Sequence, residues 1–464
     1  MTVSIRDLMT DPDLFGNQFA GDSWQAWRAL LAGFYGLLLD DAERELFQRI
    51  TRLPESAQKA FIELWLVIGR RGGKSQVSAL LAVFEAAFHS YSDQLSPGEV
   101  ATVMVLACDR RQARTVMRYI GGLLHSNPML ERMIVREERE SIELSNRTVI
   151  EVSTASFRAV RGYTVACVIA DEIAFWRSDD SANPDWEILN ALRPAMATLD
   201  GKLIALSSPY SKRGALWETY RRHYGKPGPL LVAQAESRLM NPKLPQRVID
   251  GAMQRDPQAA RAEYMAQFRA DLEQFISREV VERSARPAPL ELPPRPGVTY
   301  FAFTDPSGGG ADGFTLAIGH NDDGQTVIDV LRERKGPPGA IVAEYAELLK
   351  SYRLATVTGD RYAGEWPAQE FERHGITYRS AKKPKSDLYV DALAALNSGR
   401  VQLPPDDRTL NQFIALERRT SRAGKDSIDH PPGGHDDRAN AVAGLLSVAA
   451  KPTAQSRTVV KLAI

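Results

Sequence analysis

The sequence predicts two consecutive α/β domains, the first built on a largely parallel sheet. Three observations carry that expectation. Across residues 56–285, apolar runs of strand length alternate with helical stretches, the rhythm of strand–helix–strand units. The segment "RPAPLELPPRPG" at 286–297 then concentrates proline where neither a helix interior nor a central strand tolerates it, so it reads as a linker. Beyond it, strands and helices resume in a different order. The expected organisation is an N-terminal helical region at 1–55, an α/β domain at 56–285, the linker, a second α/β domain at 298–450 and a flexible tail at 451–464.

Composition is compatible with this plan. A chain of 464 residues exceeds one ordinary core, and 44% hydrophobic content can fill more than one. Lysine plus arginine equal aspartate plus glutamate at 58 each, which argues against a uniformly basic nucleic-acid coat but leaves local basic grooves open. Cys108 and Cys167 lie in apolar strand-like runs, so the expectation is buried packing in a reducing cytoplasm rather than a disulfide framework. No basic-then-apolar leader opens the sequence, and no apolar run approaches the ~18 residues that span a bilayer. A soluble protein with no membrane partner is expected.

Residues 20–50 read as amphipathic helix, after which "LWLVI" (64–68) suits a buried strand. Val77, Leu80, Leu81, Phe84 and Phe88 then recur at helical spacing, which places "GRRGGKS" in a strand-to-helix turn. The frame is irregular, because a strict G-x-x-x-x-G-K-[ST] motif would need glycine at Ile68. The context still favours a phosphate cradle over a plain glycine-rich turn. Gly72 and Gly73 let backbone N–H groups approach phosphate oxygens, Lys74 can reach the β- and γ-phosphates, and Ser75 can ligate Mg²⁺. Downstream, "VACVIADEIAFW" (165–176) is a strand ending in two acids, an unfavourable arrangement unless they face a cation or a polarised water. Asp171 would hold Mg²⁺ through its water shell, and Glu172 would orient or deprotonate the attacking water. ATP hydrolysis is therefore expected of a P-loop NTPase domain.

Past the proline segment, three strands are followed by a helix (about 339–351), "ATVTGD" (355–360), a helix, "ITYRSA" (376–381) and further helices. That β-β-β-α-β-α-β-α order is ribonuclease H-like. Asp305 ends the first strand and Asp360 the fourth, and "GGHDDRANAVAGLL" offers Asp436 and Asp437 at a late helix start. Three converging carboxylates can hold two divalent ions, Mg²⁺ or Mn²⁺, ~3.5–4 Å apart for phosphodiester hydrolysis. Singly, each acid could equally cap a turn or helix. Asp437 is the first choice for the third ligand, with Asp436 and His435 beside it as second-site or positioning groups; Asp312 and Asp387 are weaker candidates. "KKPKSD" (382–387) could touch DNA phosphates, although such runs are more often solvated.

Taken in order, "GRRGGKS", "RGYTVACVIADEIAFW", "LIALSSPYSKRG" (203–214), "TDPSGG", "GDRYAGEW" and "GHDDRANA" resemble the large subunit of tailed-phage terminases, from about residue 60 to 450. The resemblance implies a DNA-packaging motor joined to a nuclease. It also implies that Ser207 and Ser208 sense the γ-phosphate and couple hydrolysis to DNA movement, and that Trp24 and Gln25 lie near the adenine. Arg70 or Arg71 would contact the γ-phosphate, and Arg158 or Arg161 would act as an arginine finger on a neighbouring subunit, with surface ion pairs as the alternative for each. Double-stranded DNA, a terminase small subunit, the procapsid portal and a homo-oligomeric ring are the implied partners. The implied location is the host cytoplasm, at the portal during packaging, and not the mature virion. A helicase-nuclease of repair and a catalytically idle DNA–capsid scaffold are the rival readings. The first should carry further helicase motifs, and the second should have lost Lys74, Asp171, Glu172, Asp305 and Asp360, all of which are present.

Overall fold

The computed structural model describes residues 3–53, 59–156, 162–176, 184–269, 271–306, 313–360, 366–420 and 426–450. The chain divides into two compact units between Leu272 and Glu273. Both are α/β. No helix among the described residues is long and apolar enough to cross a membrane.

The first unit holds eight strands: β1 (Glu63–Ile68), β2 (Ala101–Ala107), β3 (Ile134–Glu137), β4 (Ser141–Leu144), β5 (Thr148–Thr154), β6 (Thr164–Asp171), β7 (Lys202–Ser207) and β8 (Leu230–Ala235). They form one sheet in the order β3-β4-β5-β2-β6-β7-β1-β8. From β5 to β8 every pairing is parallel, while β3 and β4 extend the edge antiparallel. Strand β1 is buried on both faces, which is why "ELWLVI" lacks alternation. Its Leu64, Leu66 and Ile68 join the core with Val77, Leu80, Leu81 and Phe84 of the helix Lys74–Ala87. Trp65 and Val67 face the opposite layer, with Ile188, Leu189 and Leu192 of the helix Pro184–Met196.

The stretch read as one amphipathic helix over 20–50 forms two, Gln25–Phe34 and Asp41–Thr51. The break has two causes. Gly36 adopts φ +74°, a left-handed conformation that ends a helix, and a Cβ there would meet the Ala60 backbone at 2.6 Å. Asp40 then caps the second helix reciprocally with Glu43, at 2.8 and 3.3 Å.

In the second unit, β10 (Tyr300–Asp305), β11 (Phe314–Asp322) and β12 (Gln325–Arg334) form an antiparallel meander. Strands β13 (Thr356–Gly359) and β14 (Thr377–Ser380) add in parallel beside β10, and β15 (Val401–Gln402) beside β12. The order β14-β13-β10-β11-β12-β15 is ribonuclease H-like. One sheet face buries Phe303, Ala317 and Ile328 under Ala439, Val442, Leu445 and Leu446 of the last helix, Asp437–Ala449. The other buries Phe314, Leu316 and Ile318 under Ile341, Val342, Tyr345 and Leu349 of the helix Pro338–Ser351. A small sheet, β17-β16-β9, brings together β9 (Leu272–Gln274), β16 (Glu417–Thr420) and β17 (Asp426–Asp429).

The proline-rich segment 286–297 lies inside this second unit rather than between the two. Backbone groups within it bond to the sheet: Arg286 N donates to Leu403 O at 2.8 Å and Leu292 N to Asp329 O at 2.9 Å. The Arg286 guanidinium adds a bond to Leu290 O at 2.8 Å, and Arg295 N donates to the Tyr300 hydroxyl at 2.8 Å. Here an extended strap is bonded along β12 and β15, and the tail at 451–464 falls outside the described residues.

Candidate functional site

Two groups of polar side chains sit at strand ends, one in each unit. In the first, the loop after β1 is held from several sides. Trp27 Nε1 donates to Gly72 O at 2.8 Å, Ser237 Oγ to Arg70 O at 2.7 Å and Asn241 Nδ2 to Arg71 O at 2.9 Å. Arg71 and Gly73 take φ +66° and +95°, so the chain turns sharply into the helix that Lys74 begins. The first turn of such a helix offers backbone N–H groups that favour an anion.

Lys74 is almost wholly buried, and its ammonium has three partners: Ser208 Oγ at 2.8 Å, Ile68 O at 3.2 Å and Glu172 Oε1 at 3.3 Å. The other Glu172 oxygen accepts from Ser207 Oγ at 3.0 Å and Ser208 N at 3.1 Å. Strand order makes this possible, because β7 lies between β1 and β6 and delivers Ser207 and Ser208 between lysine and glutamate. Glu172 itself sits at φ +50°, a left-handed conformation that L residues rarely adopt and that functional sites concentrate.

Asp171 is fully buried, and the loss of water, reinforced by the charge of Glu172, pushes its carboxyl up to about 7. One of its oxygens accepts from Gln112 Nε2 at 2.7 Å, and the same amide reaches Ser75 Oγ at 3.3 Å. The other oxygen, Oδ1, is buried without a partner. A buried carboxylate oxygen with no donor, on an acid joined to Ser75 through one amide, fits a divalent cation. Next to the loop opens a cavity of about 270 Å³ walled by Phe19, Trp24, Gly73, Gln76, Met240 and Lys243, among others. Trp24 lines it, whereas Gln25 is exposed at the start of its helix and does not; Gln18, Gln76 and Asn241 are the side-chain amides in its wall.

The second group surrounds the end of β10. Thr304 pairs with Gly359 across β10 and β13, so Asp305 and Asp360 leave neighbouring parallel strands at the same edge. The last helix begins at Asp437, whose Oδ2 accepts from Gly313 N at 3.4 Å. Desolvation pushes the Asp305 carboxyl up to about 7, with the charges of Asp360, Asp437 and Asp436 adding to the effect and a hydrogen bond from Asn440 opposing it. Mutual repulsion of this kind is what a bound cation would relieve. Asp436 faces elsewhere: it accepts from the Tyr389 hydroxyl at 2.7 Å and pairs with Lys385 Nζ at 2.7 Å. Lys385 also meets Asp429 at 3.0 Å, and Asp429, His430 and Asp436 form an acid–imidazole group that already contains a protein cation.

No family model and no curated protein matches this chain. Solved structures do. Phage large terminases are among those it resembles. The large terminase of bacteriophage HK97 aligns over 89% of this chain and 95% of its own, at 16% identity and a TM-score of 0.38. The large terminase of a thermophilic bacteriophage aligns over 91% and 98%, at 13% identity and 0.40. The large terminase nuclease of thermophilic phage G20c, solved with bound magnesium, covers 36% of this chain and 94% of its own, at 22% identity and 0.32.

The remaining candidate residues are placed as follows. The Arg70 guanidinium pairs with Glu263 at 2.9 Å, the surface ion pair that was the alternative to a phosphate contact; Arg71 is exposed. Arg158, Arg161 and Asp312 lie outside the described residues. Lys383 and Lys385 of the basic run are engaged by Asp391 and by Asp429 and Asp436, and Asp387 is exposed. Sequence reasoning missed Gln112, Asn440, Trp27 and Asn241. Only Asn440 left a local signal, three residues after Asp437 and thus on the same helical face. Gln112 reaches Asp171 because β2 neighbours β6, a pairing that spacing does not reveal.

Proposed function

We propose that this chain is the large subunit of a phage DNA-packaging terminase: an ATP-driven motor moving double-stranded DNA into a procapsid, with a divalent-metal endonuclease that cuts concatemers at initiation and termination. The observation carrying the motor half is the closed relay Lys74–Glu172–Ser207–Ser208 beside Asp171 and Ser75 at parallel strand ends. Bound Mg·ATP supplies the phosphoanhydride to be broken and the charge that neutralises it. Gly72, Gly73, Lys74 and Ser75 would hold the phosphates, and Asp171 the metal's shell.

The relay explains why hydrolysis and movement would be linked. Lys74 and Glu172 pair at 3.3 Å, and the serines hold the other carboxylate oxygen. When Lys74 turns to a phosphate, Glu172 Oε1 becomes free to take a proton from water while Oε2 stays on Ser207 and Ser208. Any change at Glu172 is therefore felt by the β7 loop. The nuclease half rests on Asp305, Asp360 and Asp437 converging at one sheet edge, where they would hold Mg²⁺ or Mn²⁺ ions that polarise a water and a phosphodiester. A small subunit, the portal, a ring of copies and action at the portal in the host cytoplasm belong to the same proposal.

Packaging of linear duplex DNA into purified procapsids tests it. Uptake should require ATP, survive Asp305→Ala and vanish with Glu172→Gln, while plasmid nicking shows the opposite pattern. Strand separation without uptake of intact duplex would instead favour a repair helicase-nuclease. ATPase silence in the wild-type chain would favour the idle scaffold.

A further inference from the structure

We infer that Asn440 is a positioning residue of the acid cluster: its side-chain amide holds Asp305 and Asp360 together for divalent cations without neutralising them. The inference rests on the nuclease reading of that cluster. Asn440 is 2% exposed, and Nδ2 donates to Asp305 Oδ2 at 2.7 Å and to Asp360 Oδ2 at 3.4 Å. Only the NH₂ end of the amide can donate to two carboxylates, so its orientation follows from its partners. Adjacent parallel strands bring both acids to one edge, where their like charges oppose convergence. A shared donor between them favours convergence and sets the direction of their remaining lone pairs.

The neutrality of that donor matters, and the neighbouring acid shows the alternative. Asp436 is held by the Lys385 ammonium and the Tyr389 hydroxyl, so its charge is already balanced by the protein. Asp305 and Asp360 share an amide, which aligns them and adds no charge of its own. In addition, Asn440 Oδ1 is buried and has no partner. A buried acceptor without a donor calls for an explanation, and a hydrated cation beside the two carboxylates provides one. The cluster therefore has two parts, Asp436 paired with Lys385 and the pair Asp305 and Asp360 joined through Asn440.

The experiment is a Mn²⁺ titration of the full-length chain, read as the melting temperature of the second unit by calorimetry from EDTA to saturating MnCl₂. Asn440→Ala should raise the Mn²⁺ concentration for half-maximal stabilisation by ~10–100-fold, as loss of an outer-sphere partner does. Asn440→Asp keeps the shape and adds a charge, so it should melt lower than wild type in EDTA and gain more from Mn²⁺. A packing role alone would lower both variants equally with and without Mn²⁺ and leave the midpoint in place, which would overturn the inference and spare the nuclease reading. If wild type gains no stability from Mn²⁺, or Asp305→Ala gains as much as wild type, the nuclease reading itself is wrong and the inference goes with it.

Discussion

Substituting one buried glycine should separate the two units' activities. Gly444 lies mid-way along the helix Asp437–Ala449, where it packs on Phe303 of β10, two residues before Asp305. A Cβ at position 444 would stand under 3.0 Å from three atoms of the Phe303 ring, whereas ordinary contact begins at 3.4 Å. The ring is fully buried and cannot step aside, so the helix must lift from the strand. Helix propensity alone would make Gly444→Ala stabilising by about 1 kcal/mol, and overpacking at a rigid contact costs roughly 1–3 kcal/mol or more. With the clash this severe, the upper end applies. The net effect should be about 2 kcal/mol of destabilisation, or a fall of roughly 4–8 °C in the melting temperature of a unit this size. The same lift draws Asp437 and Asn440 away from Asp305, so the Mn²⁺ midpoint should rise and plasmid nicking should fall. ATP turnover should be unchanged. Calorimetry of the full-length variant, with both activities measured on the same preparation, checks this. The double variant Gly444→Ala with Phe303→Leu should recover part of the loss, because the two positions are in contact and couple. A melting temperature equal to or above wild type in Gly444→Ala would refute the argument, since propensity would then have outweighed a contact that is not there.

Three further predictions concern the first unit. Glu172→Gln keeps the shape and removes the base, so steady-state ATP turnover should fall by ~10² to 10⁴-fold while fluorescent-nucleotide binding persists; normal turnover would remove Glu172 from the reaction. Gln112→Ala strips the donor from the buried Asp171 and should lower the melting temperature by an amount corresponding to ~1–3 kcal/mol in EDTA, with a smaller deficit in Mg·ADP. An equal deficit in both conditions would mean that Gln112 serves packing alone. Burial, assisted by the charge of Asp109, pushes the Cys108 thiol up to about 12 against an ordinary ~8.5, leaving on the order of 10³-fold less thiolate at pH 8. Disulfide-exchange labelling of the native chain at pH 8 should be correspondingly slow, and a rate like that of a small free thiol would contradict the burial.

The elements legible in the sequence were those whose physics is local. Apolar runs such as "LWLVI" declare themselves because a strand buried on both faces must be apolar throughout, and Asp171, Glu172, Asp305 and Asp360 stand out because acids at the ends of such runs need a reason. The two fold classes followed from element order, since α/β topologies allow few arrangements of a given order. What failed depended on chain geometry not encoded nearby. Proline at 286–297 excludes a helix but says nothing about whether an extended segment is bonded along a sheet, as Arg286 and Leu292 are.

Only the tertiary structure could decide which acids are brought together and which is paired with a lysine. Asp436 and Asp437 are adjacent in sequence, yet the turn into the last helix sends Asp436 to Lys385 and Tyr389 while Asp437 begins the helix whose next turn carries Asn440 to Asp305. In the same way, Lys74, Glu172, Ser207 and Ser208 come from three parts of the chain and meet because β7 lies between β1 and β6. A local sequence pattern specifies which groups are available. Strand order and helix phase specify which of them come within hydrogen-bond reach of one another, and electrostatic chemistry depends on that distance.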